Sequence, residues 1–99
     1  MRELEISVVL PVYNGMKYLQ ASVDSVLCQN FSQFEFLICD DASNDGSWEW
    51  LESIYDPRIT LFRNEANKGL FPNLNFLCKN ASARLIKLWT QHDIINPDC

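Results

Sequence analysis

Short unbroken apolar runs alternate along this chain with stretches of helical spacing, and that alternation narrows the available architectures more than any other feature. Ile6-Ser7-Val8-Val9-Leu10-Pro11-Val12 is nearly continuous in apolar and β-branched residues, the composition of a strand buried on both faces. Past Tyr13-Asn14-Gly15 the spacing changes. Met16, Leu19, Val23, Val26 and Leu27 recur on one helical stripe while Lys17, Gln20 and Asp24 fall outside it, which predicts an amphipathic helix. Asn14-Gly15 also suits a type I′ hairpin turn, but a hairpin needs strand alternation on both sides, and the helical stretch excludes it.

The same switch recurs down the chain. Residues 34–39 are a second apolar run, followed by the polar loop Asp40-Asp41-Ala42-Ser43-Asn44-Asp45-Gly46-Ser47. Ser47 is a candidate N-cap for a short helix carried by Trp48, Leu51, Ile54 and Tyr55 and closed by Asp56-Pro57. Residues 58–63 predict a third strand. Leu70, Phe71, Leu74, Leu77, Cys78 and Ala81 mark a third helix, with Pro72 tolerated in its first turn. Residues 84–89 predict a fourth strand. The order β-α-β-α-β-α-β with short connections implies an α/β fold, a mainly parallel sheet with helices on both faces. In such sheets ligands bind at the carboxyl ends of the strands. Three polar clusters fall there: Pro11-Val12-Tyr13-Asn14, the loop from Asp40, and Thr90-Gln91-His92-Asp93.

Composition excludes several classes. Hydrophobic residues make up 47% of the 99 and aromatics 12%, enough for one packed domain and too much for a disordered chain. No apolar run approaches the roughly 20 residues of a membrane span, and Glu3 and Glu5 stand where a signal peptide carries no acids. The expectation is a soluble, cytoplasmic protein, membrane-peripheral at most in a longer form. Net charge is -5 and the eight Lys and Arg residues are scattered, so there is no footprint for nucleic acid. An anionic ligand therefore needs a metal or a local cation. Cys28, Cys39, Cys78 and Cys99 form no CxxC pair. With zinc spacing absent, the expectation is free thiols, with Cys28, Cys39 and Cys78 buried as small hydrophobes.

Asp40-Asp41 directly follows a buried run, so a carboxylate there meets backbone or ligand donors more than bulk water. The N3–H of a uracil ring is one such donor, and Tyr13 is placed to pack against the base. Turn initiation explains the same two acids equally well. Asp93 is the candidate metal ligand, since a nucleoside diphosphate favours a hard divalent cation and that cation favours carboxylate oxygen. As a lone acid it reads first as a cap for the turn Ile94-Ile95-Asn96-Pro97 after it, and the lone His92 reads as a surface histidine.

Together these clusters resemble the family 2 glycosyltransferases with the GT-A fold. The residues that carry the likeness are Ser7 to Asn14 (SVVLPVYN), Ser25-Val26-Leu27-Cys28-Gln29-Asn30-Phe31, Phe34 to Ile38, Asp40 to Ser47 (DDASNDGS), Asn67-Lys68-Gly69, Asp93-Ile94 and Pro97-Asp98. The resemblance implies a Rossmann-like sheet, of which residues 1–99 are the amino-terminal, sugar-nucleotide-binding half, with the acceptor half and the catalytic base beyond Cys99. It implies an inverting transfer of sugar from a nucleotide-sugar, UDP first, to a hydroxyl of a saccharide or lipid-linked acceptor. Pro11, Val12, Tyr13 and Asn14 match the base pocket, Asp41 the acid that bonds the uracil, Asp40 its support, and Lys68 a loop near the phosphates. Asp93 matches the ligand of Mn2+ or Mg2+. His92 stands where the family usually has an acid, a departure that weakens ribose or phosphate contacts.

Two other classes fit parts of the pattern. A receiver-like phosphoacceptor domain has paired acids at a strand end, but after its first strand, whereas Asp40-Asp41 follow the second. A non-catalytic binding module keeps the fold without transfer, in keeping with His92. A fragment of this kind is also expected to self-associate through apolar surface left uncovered.

Overall fold

The computed structural model describes residues 6–28, 33–83 and 85–88. Within them the order is β1 (Ile6–Val12), α1 (Met16–Leu27), β2 (Phe34–Asp40), α2 (Ser47–Glu52), β3 (Ile59–Arg63), α3 (Leu70–Asn80) and β4 (Leu85–Leu88). The strands lie in the order β3-β2-β1-β4, and every adjacent pair is parallel. Register brings Val12 opposite Asp40 and Asp40 opposite Arg63, so the loops leaving β1, β2 and β3 open along one rim. The expected α/β sheet is the observed one.

Strand alternation divides the core into two layers. Val8, Leu10 and Val12 of β1 and Phe34, Phe36 and Ile38 of β2 pack with Leu19, Val23 and Val26 of α1 and Leu51 of α2. On the other face Val9, Leu37 and Cys39 meet Leu77 of α3. At the opposite end of the strands Glu35 ties β2 to the turn before β4: its Oε2 accepts from Ser7 Oγ at 2.5 Å and from the Ser82 amide at 2.6 Å. Ser7 Oγ in turn accepts from the Ala83 amide at 3.0 Å.

Four local expectations need correction. Gly46, at φ 94°, holds the cap position of α2, so Ser47 lies inside the first turn. Tyr55 is 97% exposed: the helix closes at Glu52, where Ser53 Oγ bonds back to the Trp50 carbonyl, and Tyr55 leaves the face that Leu51 defines. On α3, Leu70, Phe71 and Cys78 are exposed, and the buried positions are Asn73 and Leu77, with Leu74 partly covered against the sheet and Phe76 meeting the Phe62 ring of β3. The cysteines Cys28, Cys39 and Cys78 are free as expected, but only Cys39 is buried. Cys99 lies outside the described residues.

β4 is exposed along its whole length, with Leu85, Ile86 and Leu88 at 65%, 46% and 50%. Neither of its faces is covered by the described residues.

Candidate functional site

A cleft of about 400 Å³ opens at the carboxyl rim between β1, β2 and the start of α3, lined by Pro11, Val12, Tyr13, Asp41, Asn67, Gly69, Leu70 and Asn73. Its walls are mainly apolar, with polar groups concentrated at Asp41, Asn67 and Asn73, the mixture that small-molecule sites favour. Tyr13 is 47% exposed and Leu70 54%, so both present apolar surface at the mouth.

Asp41 organises the site. Its amide donates to the Val12 carbonyl at 2.8 Å, which joins the loop to β1, yet the residue is only 2% exposed. Its Oδ1 accepts from the Lys68 amide at 2.8 Å and from Asn64 Nδ2 at 2.9 Å, and its Oδ2 from the Gly69 amide at 2.9 Å. The start of α3 has no side-chain cap of its own, so an acid from a distant loop satisfies the backbone donors just before it. Gly69 adopts φ 93° and ψ 170°, a region essentially reserved for glycine, and this turns its amide onto the carboxylate. Burial pushes the Asp41 carboxyl up, but the bonds from Asn64, Lys68 and Gly69, with Asn73 adding to them, outweigh burial and hold it below the usual carboxylate range.

Behind Asp41, the β2–α2 loop is stitched to the β1–α1 turn. Ser43 Oγ accepts from the Asn14 amide at 2.8 Å, and Asn14 Oδ1 accepts from the Asn44 amide at 2.9 Å. Asp45 reaches both neighbouring helices: Oδ2 accepts from the Met16 amide at 3.1 Å, while Oδ1 accepts from the Ser47 amide and hydroxyl. Asn14 takes φ 46° and Ala42 φ 63°. Asparagine tolerates this left-handed region, but alanine is strained by roughly 1–2 kcal/mol. Ala42→Gly removes that strain at the expense of about 0.4–1 kcal/mol of unfolded-chain entropy, and a net gain near 0.5–1 kcal/mol is expected in urea unfolding. A variant no more stable than the parent would show the strain is relieved elsewhere.

Of the residues singled out from the sequence, Pro11, Val12, Tyr13 and Asp41 come together in the cleft. Asn14 and Asp40 stand behind it. Asp40 is fully buried, with Oδ2 accepting from the Ser43 amide at 3.0 Å and lying 4.0 Å from Arg63 Nε. Its Oδ1 has no hydrogen-bond partner among the described residues. Lys68 contributes its backbone amide to Asp41, and its side chain is exposed. His92 and Asp93 lie outside the described residues.

Asn64, Leu70 and Asn73 were not anticipated. Asn64 follows β3 as Asp41 follows β2, a position the crevice rule singles out. Asn73 shares the buried stripe of α3 with Leu77, a polar break in an apolar pattern. Its Oδ1 accepts from Asn64 Nδ2 at 2.6 Å and, more loosely, from Cys39 Sγ at 3.8 Å. Cys39, buried beside Asp41 and Asp40, has its thiol pushed up to about 11, mainly by burial; it stays protonated and packs as an apolar group.

Among the described residues no group of three or more His, Cys, Asp or Glu side chains comes together to hold a metal ion. The rim carboxylates of Asp41 and Asp45 are engaged with backbone amides. Asp93, the metal ligand expected from the sequence, lies outside the described residues.

The model of the family described as glycosyl transferase family 2 matches residues 7–99. Escherichia coli WfgD, a UDP-Glc:alpha-D-GlcNAc-diphosphoundecaprenol beta-1,3-glucosyltransferase, is 37% identical over 89 residues, covering 90% of this chain and 35% of its own. Escherichia coli WfaP, named for the same reaction, is 33% identical over 88 residues, 89% of this chain and 35% of its own. The chain thus spans about a third of the length of these relatives. Among solved structures, S. aureus TarS 1-349 in complex with UDP-GlcNAc superposes at a TM-score of 0.85 with 28% identity, over 94% of this chain and 28% of that one. The mannosyltransferase PcManGT of Pyrobaculum calidifontis, in complex with GDP-Man and Mn2+, superposes at 0.81 with 21% identity, over 95% of this chain and 29% of that one, a likeness of fold.

Proposed function

The chain belongs to glycosyl transferase family 2, and from that premise we propose that its cleft binds the nucleotide of a UDP-sugar, as the donor-binding part of an inverting glycosyltransferase that acts on a saccharide or lipid-linked acceptor. The observation that carries this reading is the convergence of Tyr13 and Asp41 on one cleft at the carboxyl rim. Asp41, held ionised, accepts the N–H of the base, and Tyr13 supplies a flat apolar surface for the ring. The donor-bound TarS structure and the glucosyltransferase relatives support the substrate class. Loss of the proton from the acceptor hydroxyl and attack on the anomeric carbon are assigned to no described residue; this chain's part is to hold the leaving nucleotide.

A divalent cation, Mn2+ or Mg2+, held by Asp93 with His92 beside it, belongs to the same reading, because it would offset the diphosphate charge that a chain of net charge -5 otherwise repels. Titration calorimetry with UDP, with and without Mn2+, tests both parts. Micromolar binding that tightens about tenfold with Mn2+, some 1.4 kcal/mol, is the expected outcome. A folded sample blind to UDP under either condition would favour the non-catalytic interaction module. UDP binding indifferent to Mn2+ would remove only the cation.

A further inference from the structure

We infer that Asn73 is a positioning residue of the nucleotide site: from the buried stripe of α3 it bridges Asn64 and the cleft carboxylate of Asp41, so the seating of this helix sets how firmly the nucleotide is held. The inference rests on the nucleotide reading above and names a residue on which that site depends.

An asparagine is out of place where Asn73 stands. It is 3% exposed and lies one helical turn before Leu77, on the stripe that α3 turns towards the sheet, where an amide is costly unless its polar atoms are met. The wall of the cleft meets them. Asn73 Oδ1 accepts from Asn64 Nδ2 at 2.6 Å and, more loosely, from the Cys39 thiol at 3.8 Å. The same side chain also bonds to the Asp41 carboxylate, and since that partner only accepts, the Asn73 NH2 group is the donor.

The bridge joins three elements at one point: Asp41 after β2, Asn64 just past β3 and Asn73 on α3. Asn64 is pinned on its own account, its amide donating to the Asp40 carbonyl at 2.9 Å. The Lys68 and Gly69 amides reach Asp41 from the loop before α3, so Asn73, which lines the cleft beside the acid, is the contact that comes from within the helix. The titratable groups around Asp41 are Asp40 and Cys39 at the end of β2, Asp45 in its own loop, Arg63 and Glu65 about the end of β3, Lys68 and, at the cleft mouth, Tyr13. The first turn of α3 brings no charge to them. Among the described residues Asn73 bonds to no acid but Asp41, so a change there bears first on that carboxyl.

The test uses Asn73→Leu, which keeps the bulk of the side chain on the apolar stripe and deletes its polar contacts; Asn73→Ala replaces it should the leucine variant fail to fold. Two quantities are read in the parent and in the variant. One is the affinity for UDP at pH 7 and one Mn2+ concentration. The other is the pH at which the Asp41 carboxyl titrates without ligand, followed by its carbon-13 resonance. The expected result is UDP binding at least about threefold weaker, together with an Asp41 midpoint displaced upward, because one of the bonds that favour the ionised form is gone. A residue that only packs the helix would leave that midpoint in place. A folded variant that binds UDP as the parent does, or one whose Asp41 midpoint stays put, overturns the inference while leaving the nucleotide site intact. Failure of the parent itself to bind UDP removes the nucleotide reading and the inference with it.

Discussion

Asp41→Asn will weaken UDP binding by about a hundredfold or more and will destabilise the free protein by roughly 2–3 kcal/mol. Both effects share one cause. Asparagine keeps one acceptor oxygen but turns its NH2 group either onto the Gly69 amide or onto the Lys68 amide and Asn64 Nδ2, so donor faces donor and the charge that strengthens these bonds is lost. The pH dependence separates this from a packing defect. The folded Asp41 carboxyl is held below its unfolded value of about 3.9. Its stabilisation is therefore complete above that value and fades as pH falls through the lower, folded one. Asp45, where bonds from Ser47 and Met16 outweigh burial, and Asp56, held down chiefly by its bond with Arg58, shift in the same direction. The parent should lose stability below about pH 4, and Asp41→Asn should show a shallower loss. Calorimetry and urea unfolding at pH 7 and pH 3 measure both. A variant that retains full UDP affinity removes Asp41 from the contact, and one with unchanged stability shows that the freed amides find other partners.

Phe36→Ala is the second large effect, with an expected destabilisation of about 3–5 kcal/mol. Phe36 is fully buried on β2, between β1 and β3, in the layer that joins both strands to α1 and α2. Domains of this size hold about 5–15 kcal/mol in all, so the substitution removes a large share of the total. Near-native urea stability would mean that Leu51, Val23 and Ile38 close over the space. Loss of UDP binding in this variant, unlike in Asp41→Asn, should track the unfolded fraction.

The strands could be read ahead of the structure because β1 and β2 are buried on both faces, and such strands write themselves as continuous apolar runs. The floor of the cleft could be read for a related reason: Asp40 and Asp41 break off such a run abruptly, and acids at that point need partners. What could not be read were the partners. Asn64 and Asn73 acquire their roles only when β3 and α3 are brought against β2, and nothing local marks an asparagine as bonded to a residue 23 positions away. Helical spacing overstated the buried face of α3, since periodicity places Leu70 and Phe71 on an apolar stripe without showing whether anything covers it. The cysteines illustrate the same limit. Cys28 and Cys78 sit in apolar patterns, yet Cys28 caps the end of α1 and Cys78 lies on the outer side of α3.

The seam between the β1–α1 turn and the β2–α2 loop bears on the thermodynamics of association. Because Asn14, Ser43, Asn44 and Asp45 lock that wall to two helices before any ligand arrives, little main-chain freedom there is left to freeze. The entropic toll falls on the incoming molecule and on rim side chains such as Tyr13 and Leu70, at about 0.5–1.5 kcal/mol for each one immobilised. A receptor preset in this way should show fast capture and a temperature dependence dominated by apolar desolvation, with no slow isomerisation following the encounter.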